Sequence, residues 1–220
     1  MQSPEILLKP LNGGDRYAFN VYNMLQLKEY DAVAYGMGMG ISEDVARGAV
    51  WLLGNYQGKL ILDADALNSL ARYGKDGLIN LFKTKKCDVL LTPHMKEFSG
   101  LTGLDIKEIS NRGLAAPRVF ANEIGAKVLL KNAVSIITDG KKHVINMAGC
   151  SGQAKAGCGD VLSGVIAGLC AMGLSTYEGA VVGAYLTGRA AKLASETMGE
   201  YSMTASDIIA YLGRSFLQLQ

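Results

Sequence analysis

Short apolar runs alternate with longer segments of helical periodicity over residues 31–131. The runs "DAVAYG" (31–36), "KLILDA" (59–64), "DVLLTP" (88–93) and "AKVLLK" (126–131) have few polar positions, so each predicts a strand buried on both faces. Helical spacing fills the segments 42–53, 68–81 and 106–124, with Ser42 and Asn68 as predicted N-caps. Because parallel strands need such crossovers, the alternation predicts an α/β fold with a mainly parallel sheet.

Beyond the fourth run the pattern changes. The segment "VSIITDGKKHVIN" (134–146) places an Asp-Gly pair between two alternating runs, which is typical of a β-hairpin. From Asp160 onward the spacing predicts helices with Ala- and Gly-rich faces suited to close packing, and residues 201–203 predict a loop before the last helix. The chain contains no internal repeat, low-complexity segment or linker, so we expect a single domain over residues 1–220.

Charge and composition exclude several classes of protein. With 22 Lys plus Arg against 20 Asp plus Glu, the net charge of +2 provides no electrostatic footprint for nucleic acid or an acidic membrane surface. The weakly polar stretch 161–174 is interrupted by Ser163, Gly164 and Gly168 and is too short to span a bilayer. Residues 1–14 have no basic segment followed by an apolar stretch, so we expect no signal peptide and a cytoplasmic protein.

The cysteine and histidine pattern predicts no protein-held metal. Cys87, Cys150, Cys158 and Cys170 form no C-x-x-C pair, and together with the two histidines they match no zinc spacing. We therefore expect buried or inert thiols in a reducing compartment rather than a zinc site.

Four polar clusters follow the predicted strands. They are "GMGMG" (36–40), "DADALN" (63–68), "TPHMKE" (92–97) and, after the hairpin, "AKAGCGD" (154–160). In open α/β sheets, ligands bind beyond the carboxyl ends of the strands, at helix N-termini. We therefore expect the four clusters to converge on one cleft.

The most informative cluster ends in Gly157, Gly159 and Asp160, just before a helix. The glycines permit positive φ and close approach of a ligand, while the helix offers unpaired N–H groups and the positive end of its dipole, which suits phosphate. An aspartate beside a phosphoryl site can take a proton from an attacking hydroxyl. The alternative is that Asp160 is only an N-cap, and spacing does not decide between the two.

The glycine-rich loop and the acidic segment also have two interpretations each. Gly38 and Gly40 allow a substrate to lie on bare backbone, or they belong to an ordinary tight turn. Asp65 is a candidate contact for a polar ligand or magnesium, or a solvated carboxylate at a strand end. Asn68 is a helix cap or a substrate contact.

The third cluster and the lysine after the fourth strand remain equally open. His94 is a candidate hydrogen-bond partner for a polar substrate; alternatively it is merely exposed, with Pro93 at the first helical position and Glu97 capping together with Thr92. Lys131 is placed to reach a nucleotide phosphate, or it is a surface lysine with a buried stem.

In this order, the segments resemble a known family. They are similar to segments of the ADP- or ATP-dependent NAD(P)H-hydrate dehydratases, which are carbohydrate-kinase-related members of the ribokinase-like superfamily. The segments are "YGMGMG", "DADALN", "LTPHMKEFSGLTG", "LLKNAVSIITDG" and "NMAGCSGQAKAGCGDVLSGVIAGLCAMG". The resemblance extends from about residue 4 to the last helix, and "GCGDVLSG" is its most specific part. It implies a ribokinase-like three-layer α/β/α fold.

The resemblance also implies a function. Hydrated NADH or NADPH would be dehydrated to NAD(P)H at the expense of ADP (or ATP) with Mg2+, releasing AMP and phosphate when ADP is the donor. Asp160 would contact the hydrate and serve as the base while the hydroxyl of the hydrate is phosphorylated. The phosphate would then be eliminated. The nucleotide would be held by Lys131, Asn132, Ala133, Val134, Ser135, Gly157 and Gly159. Gly38 and His94 would line the pocket that binds the hydrate. The sequence pattern adds Gly40, Asp65 and Asn68 as further candidates for contacts with the substrate.

Members of the family that the chain resembles open with a strand-helix unit, and we expect this chain to begin after that unit, either as a fragment or as a naturally short protein. Such a chain exposes an edge of the sheet, which we expect to be covered by a partner chain or by a compensating rearrangement. We expect a homo-oligomer, with a tetramer as one form, and no nucleic-acid or membrane partner. Two alternatives to the dehydratase stay open. One is a kinase of the same superfamily acting on a vitamin precursor or sugar, and the other is a nucleotide-binding remnant without catalysis.

Overall fold

The structure, a computed structural model, describes Leu7, Lys9 and residues 17–218. The expectation about a signal peptide concerns residues 1–14, nearly all of which lie outside this described part. The strands are β1 Ala32–Tyr35, β2 Lys59–Leu62, β3 Asp88–Leu91, β4 Lys127–Leu130, β5 Ser135–Thr138 and β6 His143–Asn146. The α-helices are α1 Val21–Gln26, α2 Glu43–Asn55, α3 Ala64–Leu70, α4 Gly74–Phe82, α5 Met95–Thr102, α6 Ile106–Arg112, α7 Ala115–Ile124, α8 Cys158–Ala171, α9 Thr176–Met198 and α10 Ala205–Leu217, with short 3-10 turns at Leu27–Glu29, Ala71–Tyr73 and Ser151–Gln153.

The strands form one sheet in the order β1-β2-β3-β4-β5-β6. Strands β1 to β4 are parallel, and β5 and β6 are each antiparallel to the preceding strand. The predicted hairpin is confirmed, and Gly140 in its turn has φ 91°, a conformation that glycine adopts without strain. The α/β fold with a mainly parallel sheet is therefore confirmed.

Helices cover both faces of the sheet. Alternate residues of the central strands point to opposite sides: Leu60, Leu62, Val89, Leu91, Val128 and Leu130 pack in one core, and Ile61, Leu90 and Leu129 in another. The first core also contains side chains of α2 to α7, and the second contains those of α8 and α9. Because side chains alternate along a strand, strands apolar at every position need helices on both sides. This is the three-layer α/β/α architecture.

The predicted N-cap at Ser42 is confirmed, and the one at Asn68 is wrong. Ser42 accepts a hydrogen bond from the Val45 N–H at 3.2 Å and begins α2. Asn68 lies inside α3, which begins four residues earlier because the Asp63 carboxylate accepts from the Ala64 N–H at 2.8 Å and serves as the N-cap. The cap is thus the residue that directly follows β2.

Two segments predicted as single helices are each divided. Segment 68–81 is divided between α3 and α4, and Gly74 at their junction has φ 64°. Segment 106–124 is divided between α6 and α7 by Gly113, with φ 51°. Glycine takes these left-handed conformations readily, so each one ends a helical segment whose apolar spacing otherwise continues.

The close packing predicted for the C-terminal helices is confirmed. A Cβ atom at Gly179 would lie 2.7 Å from the sulfur of Cys170, and one at Gly183 would lie 2.7 Å from Cγ1 of Ile166, so α9 approaches α8 through its glycines. The predicted loop at 201–203 separates α9 from α10. Within residues 17–218, no helix has the length and hydropathy needed to cross a membrane.

The four thiols are free and differ in burial, which predicts their reactivity. Cys87, Cys158 and Cys170 are buried, and Cys150 is half-buried. Burial raises the pKa of Cys87 and of Cys170 to about 11, and it raises the pKa of Cys158 as well. Because the thiolate is the reactive form, we expect iodoacetamide at neutral pH to label Cys150 first in the folded protein, and the other three after denaturation. Peptide mass spectrometry checks this order, and labelling of Cys87 as fast as Cys150 would contradict it.

Candidate active site

The four polar clusters lie at one edge of the sheet and contact one another. The Lys131 ammonium, after β4, lies 2.7 Å from a carboxylate oxygen of Asp63, after β2, and α8 also contacts this aspartate. The backbone N–H of Lys131 donates to the Pro93 carbonyl, after β3, at 2.8 Å. The Gly40 N–H, after β1, donates to the Asp65 carboxylate at 2.7 Å. The strand ends therefore converge as predicted.

Asp63 is the buried centre of this arrangement. It is 1% exposed, and one carboxylate oxygen accepts from both the Lys131 ammonium and the Ala64 N–H. The other oxygen accepts from the Ser163 hydroxyl of α8 at 2.6 Å. Sequence reasoning missed the contacts of both Asp63 and Ser163. The available signal was an aspartate at the end of an apolar strand, because a buried carboxylate requires a cation or donors nearby.

The N-terminus of α8 is open to an anion. Gly157 precedes the helix with φ 84°, and no side chain caps it. The Cys158 N–H donates to the Lys155 carbonyl at 3.3 Å, whereas the N–H groups of Gly159 and Asp160 have no hydrogen-bond partner among the described residues. Gly159 is helical rather than left-handed, and a Cβ atom there would lie 3.5 Å from the Lys131 ammonium nitrogen. A helix N-terminus and an ammonium group thus meet at one point, where both favour negative charge.

Asp160 is the third residue of α8 and is exposed. The interpretation of Asp160 as an N-cap is wrong, because Gly157 holds that position. Among the described residues its carboxylate has no hydrogen bond or ion pair, whereas Asp63 is fully engaged. Asp160 is therefore a carboxylate available to a ligand at the anion-binding end of the helix.

His94 is the N-cap of α5. Its Nδ1 accepts from the Glu97 N–H at 3.1 Å, and a Glu97 carboxylate oxygen accepts from the His94 N–H at 2.8 Å. The cap predicted between Thr92 and Glu97 is wrong, because the Thr92 hydroxyl donates instead to the Leu62 carbonyl and Pro93 precedes the helix. The His94 side chain is 52% exposed, so its ring can contact a ligand while capping the helix. Burial raises the pKa of Glu97.

The glycine-rich loop after β1 is held by the segment after β2. Gly36, Gly38 and Gly40 have φ of 123°, 67° and 79°. Cβ atoms at Gly38 and Gly40 would meet no atom within 4 Å, so these glycines leave open space. The carboxylate of Asp65 binds the N–H of Gly40, so it supports the loop rather than standing solvated and unpaired.

A cavity of about 970 Å³ opens beside this loop, between α1 and the edge strand β1. Its lining includes Gly38, Met39 and Gly40. Lys131 and Asp160 do not line it, so the cavity and the N-terminus of α8 are separate features of the site.

The remaining predicted residues make no hydrogen bond to α8 in the described part of the chain. Asn132, Ala133 and Val134 form an exposed turn in which the Asn132 side chain accepts from the Ala133 N–H at 2.8 Å, and Ser135 begins β5. In residues 17–218 no hydrogen bond joins this turn to α8, so Lys131 is the contact between the predicted nucleotide segment and the helix. Asn68 is half-buried on α3.

Metal ligands are sparse in the described residues. No group of three or more His, Cys, Asp or Glu side chains there is arranged to hold a metal ion. Asp63 and Asp65 already accept hydrogen bonds, which leaves Asp160 as the unengaged carboxylate at the helix N-terminus.

Residues 1–214 match a protein-family model described as NAD(P)H-hydrate dehydratase. The chain is 33% identical over 227 residues to the bifunctional NAD(P)H-hydrate repair enzyme Nnr of Thermofilum pendens, which covers 100% of this chain and 42% of that protein. It is 34% identical over 215 residues to the Nnr enzyme of Dictyoglomus turgidum, which covers 95% of this chain and 40% of that protein. The chain thus spans less than half the length of these curated relatives.

A solved structure gives a similar result. The ADP/ATP-dependent NAD(P)H-hydrate dehydratase of Bacillus subtilis, co-crystallised with ATP/Mg2+, superposes with a TM-score of 0.76 at 25% identity, covering 86% of this chain and 65% of that chain. The fold and the sequence therefore match the same family.

Proposed function

The chain belongs to the NAD(P)H-hydrate dehydratase family, and we propose that it repairs nicotinamide cofactors by dehydrating hydrated NADH or NADPH at the expense of ADP or ATP. The observation that carries this proposal is the free carboxylate of Asp160 beside an uncapped helix N-terminus and the Lys131 ammonium. A base and an anion site side by side are what phosphorylation of a hydroxyl requires.

Phosphate binding is the first step of the proposed mechanism. The N–H groups of Gly159 and Asp160 and the Lys131 ammonium bind phosphoryl oxygens and stabilise their negative charge. Gly159 leaves the space beside the ammonium open, since a Cβ atom there would lie in van der Waals contact with the ammonium nitrogen, at 3.5 Å. The turn 132–135 then contacts the rest of the nucleotide.

Proton transfer is the second step. Asp160 accepts the proton of the hydrate hydroxyl as that oxygen attacks the terminal phosphorus, and the bond from phosphorus to the nucleotide breaks. The products are a phosphate ester and AMP when ADP is the donor. The carbon–oxygen bond of the ester then breaks, phosphate leaves, the neighbouring carbon loses a proton, and the ring double bond is restored.

Mg2+ is the proposed companion of the nucleotide and, when bound, supplies positive charge to the phosphates. Since Asp63 and Asp65 are engaged in hydrogen bonds, the phosphates and water would provide most of its ligands. The hydrated ring would lie over Gly38 and beside His94, where the loop leaves open space.

We also propose that the chain acts as a homo-oligomer in the cytoplasm. Strand β1 is at the edge of the sheet, and edge strands need cover. The four free thiols suit a reducing compartment. Light scattering is expected to give a mass above that of one chain, and a monomer would count against the assembly.

Release of inorganic phosphate distinguishes this proposal from a kinase of the same superfamily. The chain is incubated with hydrated NADH, ADP and Mg2+, and free phosphate is measured together with AMP. A dehydratase releases one phosphate for each NADH recovered, because its phosphate ester is eliminated. A stable phosphorylated product without free phosphate would support the kinase instead.

A further inference from the structure

We propose that Asp63 is a positioning residue, whose buried carboxylate holds the Lys131 ammonium at the first turn of α8 for the incoming nucleotide phosphate. The inference rests on the proposed nucleotide site but concerns a residue outside the segments expected to touch the nucleotide. Its starting point is the ion pair between Lys131 and Asp63, in which Nζ of the lysine lies 2.7 Å from Oδ1 of the aspartate. The lysine side chain is 20% exposed and the aspartate side chain 1%.

The contacts of Asp63 exceed what a helix cap needs. A cap requires one oxygen that accepts from the first turn of the helix, and a serine hydroxyl can supply it. Asp63 uses one oxygen for both the Ala64 N–H and the Lys131 ammonium, and its second oxygen is fixed by the Ser163 hydroxyl. A buried charge is costly unless it is paired. The carboxylate therefore joins three elements around Lys131: the end of β2, the end of β4 and α8.

The backbone after Asp63 supports the same inference. Ala64 has φ 48° and, in the part of the chain that the structure describes, is the one residue other than glycine with positive φ. Alanine is strained in this conformation, and such strain persists where the surrounding contacts require it. The abrupt change from β2 to α3 leaves the Asp63 side chain beside both Lys131 and α8.

The ammonium lies nearer than the carboxylate to the helix N-terminus. A Cβ atom at Gly159 would lie 3.5 Å from the Lys131 nitrogen and 4.0 Å from the nearer Asp63 oxygen. An anion entering at this turn therefore meets the ammonium, which its ion pair with the carboxylate holds in place. We infer that the carboxylate contributes to phosphate affinity through Lys131 and not by direct contact.

A double-mutant cycle tests this dependence. ADP binding to the full chain with Mg2+ is measured by calorimetry for Asp63→Asn, Lys131→Met and the double variant. Asparagine keeps the shape of Asp63 and one acceptor oxygen, replaces the other oxygen with an NH2 donor, and removes the charge. We expect Asp63→Asn to weaken ADP binding about tenfold, the scale of a hydrogen bond to a charged group. In the Lys131→Met background we expect it to add no further loss, because its effect passes through Lys131.

Asp88→Asn is the matched control. Asp88 pairs with Lys127 at the opposite end of the strands and is half-buried. Its substitution removes a similar ion pair and is expected to leave ADP affinity unchanged. In turnover assays, Asp63→Asn is expected to raise KM for ADP by the same factor as Kd, with a smaller change in kcat. A purely structural role would not raise KM for ADP while leaving kcat nearly unchanged.

The outcomes are distinguishable. If wild type binds no ADP, the proposed function fails and this inference fails with it. If wild type binds ADP but the losses from Asp63→Asn and Lys131→Met add, or Asp63→Asn binds normally, only the positioning role is wrong. If Asp63→Asn does not fold, Ser163→Ala replaces it in the cycle. A several-fold loss that disappears in the Lys131→Met background supports the role, and an unchanged affinity overturns it.

Discussion

Asp160→Asn is expected to lower the turnover of hydrated NADH by about a hundredfold or more, the usual scale for loss of a general base. ADP affinity is expected to stay close to that of the wild type, because the N–H groups of α8 and the Lys131 ammonium are unchanged. The Asp160 side chain is exposed and makes no hydrogen bond among the described residues, so its replacement disturbs no internal contact. Steady-state kinetics and calorimetry measure the two effects separately.

Asp76→Asn provides a matched control for the loss of charge. Asp76 is likewise the exposed third residue of a helix, α4, whose N-terminus has no side-chain cap. Each substitution removes a carboxylate from a first turn, at a cost of about 0.3–1 kcal/mol in helix-dipole stabilisation. Only Asp160→Asn should lose turnover. An Asp160→Asn variant with normal turnover would contradict the assignment of the base.

Gly36→Ala is expected to destabilise the fold by about 3 kcal/mol or more, because the new side chain meets backbone that cannot move away. Gly36 has φ 123°, and a Cβ atom there would lie 2.0 Å from the Asp63 carbonyl oxygen and 2.6 Å from the Ala66 Cβ. For a chain of this length the loss corresponds to a fall in Tm of about 6–12 °C. Thermal unfolding followed by circular dichroism measures it.

Gly38→Ala separates the collision from backbone strain. Gly38 lies in the same loop with φ 67°, but a Cβ atom there would meet no atom within 4 Å. It should lose only about 1–2 kcal/mol for the left-handed conformation. Equal losses for the Gly36 and Gly38 variants would show that the predicted contact with the Asp63 backbone is wrong.

The sheet was predictable from local pattern, whereas several helix ends were not. Strands β2, β3 and β4 are buried at nearly every position, so each leaves a short apolar run that a half-exposed helix does not produce. The start of α3 escaped prediction because it depends on Asp63 as cap and on the strained φ of Ala64. Apolar spacing carries no information about either.

The candidate site was predictable in its parts and not in its internal contacts. Local sequence indicated an open helix N-terminus near Asp160, because Gly157 precedes the helix and Gly159 lies in its first turn. It did not indicate the role of Asp63, whose partners Lys131 and Ser163 are 68 and 100 residues away along the chain. In one of its two interpretations of this cluster it paired Thr92 with Glu97 as a cap, whereas His94 is the N-cap of α5. Such contacts follow from the order of strands in the sheet.

The most direct test of the central claim is to incubate the wild-type chain with hydrated NADH, ADP and Mg2+ and to follow the absorbance of NADH. The proposed function predicts that the absorbance recovers, and that it does so only when nucleotide is present. Absence of recovery by a folded protein that binds ADP would contradict the claim that this chain is a repair dehydratase.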